Sequence, residues 1–197
     1  MSSVVISGDT SGAVTLTVPA VAGTNTITLP AGTGTAAVQG VSTNIVSGTA
    51  QASTSGTAIL FTGIPSWAKR VSILLNGVST NGTSPPLIQV GSGSLTTSGY
   101  LGGSQNISTA PASSQTAAGT GWPIQGTAAT NAYYGILVIA NITGNTWVIS
   151  GTLNNSTSVT SFVNGSIALS GSLDRVNITT TGGTDTFDAG SINIMYE

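Results

Sequence analysis

This sequence predicts an all-β protein, and three observations carry the prediction. Apolar residues alternate with Ser, Thr and Asn along a series of short runs, the period of two that a half-buried strand requires. The runs are punctuated by many of the 27 Gly and 7 Pro, residues that turn or terminate strands. No stretch of ten or more residues shows the i, i+3, i+4 apolar spacing of an amphipathic helix. The architecture expected is a short N-terminal β extension followed by an antiparallel β-sandwich or jelly-roll-like domain.

In chain order, residues 1–40 read as the extension, an attachment or trimerisation segment. Leu16-Thr17-Val18-Pro19-Ala20 recurs as Ile27-Thr28-Leu29-Pro30-Ala31, each copy alternating apolar and hydroxyl side chains before a Pro that removes a backbone donor. Units this small are marginal alone, so Leu16, Val18, Ile27 and Leu29 are candidates to pack on a host surface, on a neighbouring copy or on their own domain. Residues 41–56, rich in small polar side chains, read as a linker. Residues 57–197 form the main domain. Strands are predicted at 58–61, 69–76, 87–90, 134–140, 146–153, 162–169, 175–179 and 190–196, the set of a sandwich or jelly roll. Gly144-Asn145, between two such runs, predicts a tight hairpin whose turn needs positive φ angles. Residues 91–132 are weakly patterned and read as a long loop, the usual carrier of function on a β scaffold.

Charge is nearly absent. Three basic and five acidic residues make up 4% of the chain, while Ser and Thr together make up about 30%. Hydrophobic residues, at 39%, are too many for a disordered chain, so the polar face is neutral and hydroxyl-rich. Lys69, Arg70 and Arg175 cannot build a surface for phosphate backbones, and nucleic acid is not an expected partner. The longest apolar run, 133–140, is far below a membrane span. The N-terminus lacks the basic and apolar regions of a signal peptide, which predicts synthesis in the cytosol. Without Cys, stability has to come from sheet packing and subunit association.

Catalytic chemistry has little to work with, and no catalytic residue, cofactor or metal is expected. General acid–base catalysis and the common nucleophilic triads lean on His, and there is none. A Ser-Lys pair would have to use Lys69, which beside Arg70 reads instead as the guard of a solvated strand edge. Asp185 and Asp188 in Gly-Gly-Thr-Asp-Thr-Phe-Asp are the one close carboxylate pair; their alternatives are turn structure, a metal or subunit contact, and catalysis. Asp174-Arg175 suggests an ion pair with a neighbouring chain. Triplets such as Asn81-Gly-Thr and Asn106-Ile-Ser follow from composition alone. Tyr100, Trp122, Tyr133 and Tyr134, in and beside the long loop, either contact a partner or cap the core, since Trp and Tyr serve both ends.

Two groups of residues carry a family resemblance. Val-Thr-Leu-Thr-Val-Pro-Ala followed by Thr-Ile-Thr-Leu-Pro-Ala-Gly-Thr-Gly-Thr resembles the opening of tailed-bacteriophage fibre and virion proteins. Gly63-Ile64-Pro65-Ser66-Trp67-Ala68-Lys69-Arg70-Val71, Gly77-Val78-Ser79-Thr80-Asn81-Gly82-Thr83 and Thr184-Asp185-Thr186-Phe187-Asp188-Ala189-Gly190-Ser191-Ile192-Asn193 resemble the C-terminal β domain of such proteins. The resemblance implies a non-enzymatic homotrimeric fibre located in the virion and assembled in the host cytoplasm. Its N-terminus would dock to other virion proteins of tail, neck or capsid, and its β domain would face a host-surface glycan or protein. A capsid decoration or head-fibre protein that stabilises the shell is the alternative.

Overall fold

The computed structural model describes residues 3–7, 13–17, 45–107, 115–126 and 128–197, in two compact units, Met1–Val38 and Gln39–Glu197. In the first unit, β1 (Ser3–Ser7) and β2 (Ala13–Thr17) form an antiparallel pair, from Ser3 opposite Thr17 to Ser7 opposite Ala13. Leu16 lies on β2; Val18, Ile27 and Leu29, and with them most of the repeated motif, lie outside the described residues.

The second unit is all-β and antiparallel, and among the described residues every regular element is a strand. In chain order these are β3 (Val46–Ser47), β4 (Gln51–Ala52), β5 (Ile59–Thr62), β6 (Arg70–Thr80), β7 (Pro86–Ser92), β8 (Ser94–Leu95) and β9 (Leu101–Ile107). There follow β10 (Gln115–Ala117), β11 (Trp122–Pro123), β12 (Tyr133–Thr143), β13 (Thr146–Asn155), β14 (Thr160–Ala168), β15 (Arg175–Thr180) and β16 (Phe187–Tyr196). A nine-stranded sheet runs β10-β9-β14-β13-β12-β6-β16-β3, with β4 also on β16. A five-stranded sheet runs β11-β7-β15-β5, with β8 on β7.

The two sheets share one core in a sandwich-like arrangement. Val71, Ile73, Leu137, Ile139, Ile149 and Val163 from the large sheet meet Ile59, Phe61, Ile88, Val90, Val176 and Ile178 from the small one. Each is buried because it falls on the inward half of an alternating strand, and each full burial contributes about 1.5–3 kcal/mol. The eight predicted strands all occur, their ends shifted by a few residues. The Gly144-Asn145 hairpin also occurs, but only Gly144 takes a positive φ, 51°, so the turn needs glycine at its first central position alone.

Three expectations are corrected. The described part of the linker, from Ile45, is not a free connector: β3 and β4 pair with β16, and buried Ser53 donates through Oγ to the Ala189 carbonyl at 2.7 Å. Small polar residues hid these strands because their pairing rests on backbone groups and short polar side chains, as where Asn193 Nδ2 donates to Ser47 Oγ at 3.2 Å, with little apolar burial to mark it. The long loop at 91–132 instead carries β8 to β11, and β9 forms a seven-residue strand against β14. Lys69 does not guard a sheet edge, because β6 lies between β12 and β16; Lys69 and Arg70 sit at its exposed end.

Candidate functional site

The aromatic candidates separate by burial. Tyr100 and Trp122 cross edge to face, with ring centroids 4.8 Å apart, inside the core. The Tyr100 hydroxyl accepts from the Val90 N–H at 2.8 Å and lies 3.0 Å from the Thr96 carbonyl, to which it donates. This ties the end of β7 to the chain that follows. Burial pushes the Tyr100 phenol up to about 12, against a weaker opposing pull from its Val90 bond. Trp122 has no exposure, and its Nε1 donates to the Leu101 carbonyl at 3.2 Å. It lies across Gly165, where a Cβ would come within 2.4 Å of Nε1. Tyr133 is buried too; burial raises its phenol, against a lesser effect of its Asn131 bond. As partner-contact residues these three are therefore corrected to core residues: a segment that reads as loop delivers them inward. Tyr134 alone is exposed, at 45%.

Six of the charged side chains are likewise occupied within the chain. Asp185 Oδ2 accepts from the Ser84 N–H at 2.8 Å, and Asp188 accepts from the Ser79 hydroxyl, so both carboxylates hold the loop and strand end beside β6. A Cβ on Gly82 would meet the Asp185 carboxylate and require that side chain to move. Within the chain Asp174 pairs with adjacent Arg175 at 2.7 Å and also accepts from the Gly93 N–H. The Arg175 guanidinium holds the Asp174 carboxyl below the usual range. Arg70 meets Glu197 at 2.9 Å. Among the described residues no three acidic side chains gather as a metal site would need.

A neutral concavity of about 340 Å³ lies where β9, β10 and β14 meet. Register builds it. Gln105 stands opposite Phe162 on β14 and Gln115 on β10, and Gly103 opposite Asn164 and Ala117. Neighbours in register share a face, here the face turned away from the core, since Ser104 and Val163 alternate with them and are buried. The floor is bare because β9 has no room for a side chain at its two glycines: a Cβ on Gly102 would lie 2.2 Å from the Asn164 carbonyl, and one on Gly103 2.1 Å from that of Thr116. Above it stand the amides of Gln105, Gln115 and Asn164 and the half-buried ring of Phe162. Asn164 is positioned by Ser150, whose hydroxyl donates to its Oδ1 at 3.0 Å.

No family model, curated protein or solved structure matches the chain.

Chemically, the concavity presents donors and acceptors without charge, beside an apolar ring. Primary amides both donate and accept, so they suit hydroxyl groups, and an aromatic ring suits the C–H face of a sugar. Sequence reasoning missed the site because two Gly, three amides and one Phe spread over three strands share no spacing. The alternation Gly103, Gln105 was the sole local signal.

Proposed function

We propose that this chain is a structural, non-enzymatic virion protein of a bacteriophage, a homotrimeric fibre that attaches through its N-terminal segment and contacts the host through its β domain. The observation that carries this reading is the concavity lined by Gln105, Gln115, Asn164 and Phe162, a neutral, amide-rich surface on the outer face of the large sheet. Such a surface fits uncharged polysaccharide on a cell exterior. Weak contacts of this kind become firm attachment when one fibre presents several copies, because the second and third contacts are intramolecular. The near absence of charge also fits work outside the cell, where ionic strength varies.

Cell binding tests it. Fluorescently labelled protein should bind the host, or its purified surface polysaccharide, and Gln105→Ala with Phe162→Ala should lower that binding at least tenfold while the melting temperature is kept. Equal binding by the double variant removes the concavity as contact site. Capsid decoration is the second reading, favoured by the apolar residues exposed on β12, which a shell subunit could cover. Labelling virions with antibody under the electron microscope separates appendage from shell.

A further inference from the structure

β12 is apolar on both faces. Leu137 and Ile139 point into the core without exposure, while Tyr134, Ile136 and Val138 alternate with them on the opposite face, Tyr134 and Ile136 about half exposed. Continuous apolar runs belong to strands covered on both sides; a sheet with one solvated face shows polar residues there. Register spreads the apolar character sideways. Ile136 stands opposite Leu74 on β6 and Thr152 on β13, Ala140 opposite Val148, and Thr152 opposite Phe162.

We infer that this outer face, centred on β6 and β12, turns toward a rotation axis and packs there against the same face of the other copies of the chain. The inference rests on the homo-oligomer of the reading above and names the surface that forms it. Area supports it first. Five strands from β16 to β14 at about 4.8 Å spacing, over seven residues at about 3.4 Å, span on the order of 600 Å² in projection, before side-chain relief is added. A stable interface takes about 800 Å² per partner. Charge supports it next. Where the five strands run side by side, the outward rows hold one ionised side chain, Arg70 at the rim, already paired with Glu197. Two such faces therefore meet without opposing like charges, and a strongly charged partner would find nothing to pair with. Last, a rotationally closed oligomer requires each copy to present compatible surface to the next, and a neutral, β-branched and hydroxylated sheet face accepts its own likeness. The β14 residues of the concavity, Phe162 and Asn164, stand two strand spacings from β12, roughly 10 Å, at the margin of such a contact, and the rest of it lies beyond on β9 and β10.

The chain lacks Cys, so a single introduced thiol reports on this face alone. Sedimentation of the full chain should give a multiple of 19.3 kDa, twofold or higher, at about 10 µM, and Ile136→Lys with Val138→Lys should lower it to the single-chain mass with unchanged circular dichroism. Leu60→Lys, an exposed apolar position on β5 of the other sheet, should leave the mass intact. Independently, Val138→Cys or Ile136→Cys should give a denaturant-resistant two-chain band with a short bismaleimide, and Leu60→Cys should not. An oligomer that neither the Lys pair nor the thiols touch overturns the assigned face and leaves the fibre reading standing. A wild-type chain that sediments at 19.3 kDa overturns both the face and the homotrimer, and if added capsid shells then bind it through Ile136, the decoration reading takes their place.

Discussion

Tyr100 shows how one hydroxyl can join two segments of chain. It bridges Val90 and Thr96 from inside the core, and its phenol is pushed up to about 12 from 10.0 because the anion would be buried. The folded state therefore holds its proton where the unfolded chain releases it. Stability from this group is whole below pH 10 and falls as pH rises toward about 12. Tyr100→Phe should lower the urea midpoint at pH 7 by the equivalent of about 1–2 kcal/mol, the cost of leaving the buried Val90 N–H unpaired. It should also flatten the alkaline decline, leaving the part due to Tyr133, whose phenol is raised in the same direction. Urea titrations of both proteins between pH 7 and pH 12 check this; parallel declines would refute it. Another residue works as a local clamp: Asn155 Oδ1 accepts from the Thr157 and Val159 N–H groups, both at 3.0 Å, and closes the β13–β14 turn in which Ser158 takes φ 63°. Neither role could be assigned from residue type, because both depend on what surrounds the group after folding.

At the scale of elements, β11 depends on a vacancy in β14. Trp122 fills the space above Gly165, and a Cβ there would also lie 2.2 Å from the Leu101 carbonyl on β9. Gly165→Ala must either displace the indole or part β9 from β14. It should cost about 1–3 kcal/mol, the range for overpacking, and shift Trp fluorescence to longer wavelength. Unchanged unfolding and emission would show that the sheet yields there at no cost. The strands richest in alternating Val, Ile and Leu, namely β5, β6, β7 and β12 to β16, were legible as a pattern because their own side chains supply the burial. β9 and β10 were not. Leu-Gly-Gly-Ser-Gln-Asn-Ile has little to bury, and it is a strand because β14 offers it a row of backbone partners. β3 and β4 were hidden for the same reason, their partner being β16.

Across the whole molecule, low charge sets the response to solvent. With three basic and five acidic residues, and the Arg70–Glu197 and Asp174–Arg175 pairs near the surface, screening has little to act on. The thermal midpoint should move by no more than the equivalent of about 1 kcal/mol between low salt and about 1 M NaCl, as calorimetry would measure. A large loss of stability in salt would mean that charges outside the described residues matter more than these pairs. Composition and alternation were enough to establish the class, an all-β chain without His or Cys and with a neutral hydroxylated surface, because these properties belong to residues one at a time or to near neighbours. Folding alone decided that Tyr100, Trp122 and Tyr133 turn inward, that Gln105, Gln115 and Asn164 converge, and that β12 shows apolar side chains outward. Those facts depend on which strand lies beside which, and backbone hydrogen bonds between strands are alike at every residue, so the chain carries no local mark of its neighbours.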